Sequence, residues 1–239
     1  MELIPFLSYH HKILFAAPDL MQRFDDKKFN NSLDTGILGR VMVHLSLTGS
    51  TNDHAAGLVE SLDVSGTDDP HGTLIIADEQ TGGRGRFNRD WISPPGGLWF
   101  SLICRTALSI EKVPAVTLIA AFAAADTLIC EYDIDAHIKW PNDLYCGGSK
   151  FGGILSEGKQ FKDLRYIIMG MGLNIDIDRK YLDRLENSAV NIQELTRKKI
   201  IQESLLAHIL KKFEDMYLYY DDSGDFGSIF KNIGEILRY

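Results

Sequence analysis

The chain has 239 residues and a formal net charge of −8, long enough for one large domain, or one domain with a small appendage, and for a real core. The acidic balance argues against broad nucleic-acid binding, which needs a basic surface to displace counterions, so no DNA partner is expected. No stretch reads as the roughly 18 consecutive apolar residues of a membrane span, so no membrane role is expected either.

In chain order, residues 1–36 fit no clear periodic element and are set apart as an N-terminal extension of unknown role, ahead of a domain over 37–239. The opening, MELIPFLSYHHKILF, lacks the basic lead and small-residue cleavage site of a secretory signal. His10 and His11, as neighbours, point to opposite sides of a strand and read as exposed side chains rather than a metal pair. From Leu38 onward strands and helices follow one another. Val41 to Leu47 alternates as a strand, Ser50 or Thr51 can cap a helix running from Asp53 to Leu62, and Thr73 to Ala77 is a short apolar strand. Leu98 to Cys104 is a further strand. Val113 to Tyr132, alanine-rich with Pro114 in its first turn, is a long helix suited to packing on a sheet. Ile138 to Trp140, Gly153 to Ser156 and Tyr166 to Gly172 supply more strands, Lys199 to Tyr219 an amphipathic helix and Phe226 to Leu237 a short one. The expected architecture is α+β, a mixed, largely antiparallel sheet with helices packed on one face. Cys104, Cys130 and Cys146 have no CxxC spacing and leave one unpaired however they are bridged. They read as free thiols in a reducing compartment, and the expected location is cytoplasmic, with an organellar address left open.

The stretch richest in chemistry runs from Asp78 to Arg105, DEQTGGRGRFNRDWISPPGGLWFSLICR. Gly82, Gly83 and Gly85 free the backbone for positive φ and for close approach to a ligand. Arg84, Arg86 and Arg89 ride on that loop, and guanidinium groups grip carboxylate and phosphate oxygens in pairs. An anionic ligand is the first hypothesis, with a plain solvated hairpin loop as its rival. Two phosphate motifs are excluded. Counting from Gly83, the sixth position of a dinucleotide fingerprint is Asn88, and the Gly158-Lys159 pair is followed by Gln160 where a Walker loop needs Ser or Thr.

A second stretch, Ile138 to Glu157, sets Lys139 beside Trp140, Pro141, Asn142 and Asp143, and continues to a lysine followed by GGIL and an acidic residue. With Ser50-Thr51-Asn52 ahead, the GRGR loop ending in Trp91 and Ser93-Pro94, and Gly170 to Ile175 behind, these motifs resemble, in order, the catalytic core of biotin protein ligases. The resemblance covers roughly Leu38 to Leu195. It implies a class II aminoacyl-tRNA-synthetase-like biotin/lipoate ligase fold. It also implies a two-step activity: biotin's carboxylate attacks the α-phosphate of ATP to give biotinyl-5′-AMP, and a lysine of a biotin carboxyl carrier protein or domain then takes the biotinyl group. Mg²⁺ is expected with ATP, its ligands unassigned.

Roles carry over by position as implications of that resemblance. Lys139 and Arg86 are the catalytic candidates, Lys139 touching both biotin carboxylate and α-phosphate while Arg84 and Arg86 close the loop over the intermediate. Ser50, Thr51, Asn52, Gln80, Gly83, Arg84 and Gly153 are assigned to biotin, and Arg86, Arg89, Trp91, Lys139, Asn142 and Asn174 to ATP. Trp91 reads either as a flat ring for adenine or as a core aromatic, Asn52 as a ligand contact or a helix cap, Asp143 as a base or, preferred, a turn former. The polar segment from Asp178 to Ala189 orders over the adenylate in the family, though IDRKYLDRLEN also fits a solvated helix. Residues 1–36 are too short for the winged helix-turn-helix of some members. The family's C-terminal SH3-like barrel finds no counterpart before Tyr239, so a separate chain supplying it, or a homodimer, is a possible partner. Rival functions are a lipoate or octanoate ligase, which should lack KWPND and GRGR, a non-catalytic biotin sensor, which should have lost Lys139 or Arg86, and a nucleotide-binding module without acyl transfer, which should show one of the phosphate loops excluded above.

Overall fold

The computed structural model describes residues 23–62, 69–184, 188–234 and 236–238. Eight strands form a single sheet: β1 (Met42–Leu45), β2 (Leu74–Ala77), β3 (Leu98–Thr106), β4 (His137–Lys139), β5 (Asp143–Cys146), β6 (Ser149–Phe161), β7 (Leu164–Leu173) and β8 (Leu237–Arg238). Their spatial order is β1-β2-β3-β7-β6-β5-β4-β8. The two outer pairs, β1 with β2 and β4 with β8, are parallel, and every inner pair is antiparallel. The mixed, largely antiparallel sheet of the sequence reading is therefore present.

The central hairpin of β6 and β7 is longer than the sequence suggests, because glycines at 152, 153, 158, 170 and 172 interrupt the β-branched alternation by which strands are recognised. Of the β5 residues the sequence reading takes only Asp143, as a turn former. The residues of β5 instead pair with β4 and β6 after a tight turn whose Trp140–Pro141 bond is cis.

Six helices accompany the sheet: α1 (Asp26–Ser32), α2 (Thr51–Glu60), α3 (Val113–Tyr132), α4 (Arg179–Leu182), α5 (Gln202–Ser223) and α6 (Phe226–Ile233). The main core lies between one sheet face and α3, with α5, α1 and α6 packed outside. Ala120, Ala121, Ala123, Ala124 and Ala125 are all buried on α3, since a helix held between sheet and α5 has almost no solvent face. Ile110–Tyr132 is long and apolar enough to cross a membrane by length and composition, yet it is the mostly buried core helix.

The expectation of helices on one face holds for α1, α3, α5 and α6 but not for α2. Ala55, Val59 and Leu62 of that region pack with Ile75, Ile103 and Ile168 on the opposite face. The boundary drawn at 36 is corrected too. Phe24, Phe29 and Leu33 are core residues, and buried carboxylates of α5 hold the segment: Glu203 accepts from Asp25 N at 2.8 Å, and Glu214 from Gly36, Ile37 and Leu38 N–H at 2.6, 2.8 and 2.8 Å. The last helix ends at Ile233 rather than Leu237, which belongs to β8. The three cysteines are free. His10 and His11 lie outside the described residues.

Candidate active site

On the face opposite the main core, α2 covers only one end of the sheet. Beyond its first turn the central strands present small residues, Ser101 on β3 opposite Gly170 on β7, and Gly153 on β6 opposite Gly172 on β7. Where side chains are missing a cavity of about 620 Å³ opens over the backbone, a size suited to a small ligand. The Trp91 ring rests on this floor so closely that a Cβ on Gly172 would lie 2.5 Å from its Nε1. That indole nitrogen is buried and has no partner among the described residues, leaving a donor for a ligand acceptor.

One wall is the N-terminus of α2. Gln80 accepts at Oε1 from Thr51 N (2.8 Å) and donates from Nε2 to Ser93 Oγ (2.8 Å), which fixes its amide orientation and leaves one amide proton for a ligand. Ser101 Oγ lies 2.6 Å from Asn52 Oδ1 and 2.7 Å from Thr51 Oγ1. It has one proton and Asn52 Oδ1 can only accept, so Ser101 donates to Asn52, and the single Thr51 hydroxyl proton is shared between Ser101 Oγ and Gln80 Oε1, the latter 3.1 Å away. Asn52 spends its other end on Glu157 Oε2 (2.7 Å) and Leu155 O (3.3 Å). Asn52, assigned to biotin from the sequence, lines the cavity and is also a strut between α2 and β6, its amide protons spent on Leu155 O and Glu157. Ser50 and Thr51 line the cavity as expected.

The arginine loop forms the rim. It does not turn where its glycines led us to expect: positive φ falls on Phe87 (57°) and Asn88 (54°), around a single 3₁₀ turn over Arg86–Asn88. Gly83 is required for close packing against Trp91 O and Ser93 Oγ, and it lines a smaller cleft beside the main cavity rather than the cavity itself. Arg84, Arg86 and Arg89 all line the cavity, but their states differ. Arg84 is gripped by Asp53 at 2.5 and 2.6 Å, so its guanidinium is engaged within the protein. Arg86 has a long hydrogen bond, Nη1 to Asn142 Oδ1 at 3.4 Å, and lies 5.0 Å over the Phe87 ring, and neither it nor Arg89 has an ion pair among the described residues. These two are the free cations.

Lys139 is the principal correction. It is exposed on β4, its Nζ 5.2 Å over the Tyr145 ring, and it does not line the cavity. β4 lies two strands out from β6, about 10 Å at normal strand spacing, which puts it beyond the glycine floor. The lysine in the cavity is Lys150, at the start of β6. Its Nζ is 2.6 Å from Asp143 Oδ1 and 5.1 Å over the Trp91 ring. Asp143 is thus a strand residue that positions this ammonium, not a turn former. The signal was present in the sequence, in the lysine ahead of Phe151-Gly152-Gly153-Ile154-Leu155, but the denser KWPND run drew the assignment.

Asn142 lines the cavity with its amide anchored on Ile154 O (2.9 Å), and buried Asn174 offers an amide with no partner among the described residues. Tyr181, Leu182 and Ala189 close the far side, Leu182 packing with Trp99 and Ile177, while residues 185–187 of that segment lie outside the described residues. Among the described residues no three His, Cys, Asp or Glu side chains converge to hold a metal ion, and the Asp143 carboxylate is paired with Lys150.

The family model described as "Biotin/lipoate A/B protein ligase family" matches residues 47–174, which span α2, the arginine loop and the central hairpin. Among curated relatives, the bifunctional ligase/repressor BirA of Bacillus spizizenii is 33% identical over 205 residues, 84% of this chain and 61% of the relative. Biotin–protein ligase 2 of Arabidopsis thaliana is 30% identical over 232 residues, 90% of this chain and 64% of the relative. The chain therefore spans less than two thirds of their length. In three dimensions it is similar to the biotin protein ligase from Aquifex aeolicus in complex with biotin and ATP, with a TM-score of 0.66 and 26% identity over 84% of this chain and 79% of that one. The matched residues carry most of the lining of the cavity described above, and the chain belongs to the biotin/lipoate A/B protein ligase family.

Proposed function

We propose that this chain joins biotin to ATP, giving biotinyl-5′-AMP and pyrophosphate, and then transfers the biotinyl group to a lysine of a biotin carboxyl carrier protein. The observation that carries the reading is the convergence of Lys150, Arg86 and Arg89 on a cavity that Arg84 and Arg184 also line and that offers the neutral polar groups of Ser50, Thr51 and Gln80. Two anions must meet in the first step, and fixed cations aimed at the developing charge are commonly the largest catalytic contribution. Lys150, held by Asp143, is the catalytic lysine, placed to bridge the biotin carboxylate and the α-phosphate. The carboxylate oxygen forms the new O–P bond, the bond to the β-phosphate oxygen breaks, and pyrophosphate carries off the electron pair. Arg86 and Arg89 offset the phosphate charge. The spare Gln80 amide proton, with the hydroxyl of Ser50 and the acceptor oxygen of Thr51, suits the ureido ring, which needs hydrogen bonds that an apolar pocket lacks. Trp91 and Asn174 suit the adenosine end. In the second step the acceptor amine attacks the anhydride carbonyl, losing a proton, and AMP leaves.

Mg²⁺ is expected to arrive on the triphosphate rather than on protein ligands. The further expectations are a cytoplasmic location, supported by three free cysteines, no DNA binding by this stretch of chain, supported by its net charge of −8, and a homodimer or a separate partner chain. The test is mass detection of acyl-AMP with biotin, lipoate and octanoate compared. Biotinyl-AMP alone is the expected product. Preferential lipoyl- or octanoyl-AMP would move the chain to the lipoate side of its family, and no acyl-AMP from any acid would overturn the reading.

A further inference from the structure

Between Arg84 and Asp90 the arginine loop is bonded mainly to itself, Gly85 N to Arg89 O at 2.7 Å and Arg89 N to Arg86 O at 3.3 Å, with an isolated bridge between Arg84 and Asp90. Among the described residues only two of its side chains hydrogen-bond or ion-pair with the rest of the protein. One is the long Arg86–Asn142 contact of 3.4 Å. The other is Arg84, whose guanidinium makes a fork of 2.5 and 2.6 Å with Asp53 and lies 3.9 Å from Glu157. Asp53 is the third residue of α2, where a carboxylate commonly serves the helix end. Here it turns outward to the loop, and the same turn of helix is locked to β6 through Asn52 and Glu157.

We propose that Asp53 is a positioning residue: through Arg84 it latches the arginine loop over the cavity before any ligand arrives, so that Arg86 and Arg89 are presented ready-placed to an anionic substrate. The latch itself rests on geometry alone, and its link to substrate rests on the reading given above. Arg84 is the cation withdrawn from ligand binding so that its two neighbours can serve it. The fork is mutually reinforcing, Asp53 held more acidic by its hydrogen bonds from Arg84 and Arg84 more basic by those to Asp53. An exposed pair contributes little to global stability, so its effect must be sought locally. Removing it lowers the fraction of molecules with the loop in place, and apparent substrate affinity falls by that fraction, while turnover of the loaded enzyme, loop closed, changes little.

The experiment compares Asp53→Asn, Asp53→Glu and the charge-swapped pair Asp53→Arg with Arg84→Asp, all in the full chain. Trypsin nicking after Arg86 and Arg89 without ligand reports the loop directly. Nicking of Asp53→Asn is expected to quicken about tenfold, with KM for ATP and biotin rising by a similar factor and kcat within about threefold of wild type. Asp53→Glu and the swapped pair should return nicking toward the wild-type rate. Nicking of Asp53→Asn at the wild-type rate would overturn the latch. Faster nicking with an unchanged KM would overturn its positioning role, as would a loss confined to kcat. Failure of the biotin reading would show separately, as no biotinyl-AMP from the wild type with the nicking contrast intact.

Discussion

The two faces of the sheet are built from the same strands and put to opposite uses. On the helical face Leu98, Phe100, Leu102, Met169 and Met171 meet α3, whose alanines let the helix sit close, and the contact is sealed. On the other face alternate residues of the same strands are Ser101, Gly170 and Gly172, and only the end under α2 is covered. Dense packing gives one face its stability. Omitted side chains give the other its room. A substitution on the first face should therefore change how much protein is folded, and one on the second what the folded protein does.

The largest expected effect is on the sealed face. Phe213→Ala on α5 removes a fully buried ring and should cost about 3–5 kcal/mol of stability in a denaturant titration, while ligand affinity per folded molecule stays at the wild-type value. Next comes Lys150→Ala on the open face. Adenylate formation should fall by a factor of about 10²–10³ with little change in Tm, whereas Lys139→Ala should retain a near-wild-type rate. Equal losses from the two lysines would show that the cavity is not where the chemistry occurs. Gly172→Ala is smaller, since the Trp91 ring must shift to admit the methyl group. A loss of about 1–3 kcal/mol in ligand affinity, seen by calorimetry, is expected, with quenching of tryptophan fluorescence by ligand altered in parallel.

The smallest effect sits at the rim of the helical face, where His44 Nδ1 lies 2.7 Å from Asp26 and Nε2 2.9 Å from Asp78. Burial pulls its pKa down, but the hydrogen bonds and charges of Asp78 and Asp26 outweigh this and hold it above the ordinary histidine value. The sign follows: the stabilisation is fully present below the unfolded value and is lost as pH rises through the raised folded one. The gap in Tm between wild type and His44→Gln should accordingly close between about pH 5 and about pH 8.5. A gap that widens over that range would mean that the imidazole is not held as a cation.

Legibility in the sequence followed the same division. The sealed face was readable because apolar periodicity is a local signal: α3 and α5, and the strands facing them, stand near their expected places. The open face was readable only as motifs. Its glycines look like poor strand residues, so β6 and β7 were clipped to Gly153–Ser156 and Tyr166–Gly172. Both lysines of the Ile138–Glu157 stretch lay in suitable motifs, and only the strand order showed which one reaches the floor. For Arg84 nothing local distinguishes a guanidinium free for substrate from one claimed by a carboxylate 31 positions earlier. α1 was missed because its packing partner, α5, lies far along the chain.

That last pairing sets a schedule for synthesis. Gly36 N–H finds its acceptor on Glu214, 178 residues later. At translation rates of about 5–20 residues per second, the segment must wait roughly 10 to 40 seconds before the α5 carboxylate exists at all. Phe29 and Leu33, core residues of the finished protein, emerge from the ribosome with no helix to receive them. The sheet has its own delay, since β3 lies between β2 and a β7 not yet made. Until α5 exists the early segment stays an open apolar surface, and closure comes when α5 docks and the carboxylates of Glu203 and Glu214 collect the amides that have been waiting for them.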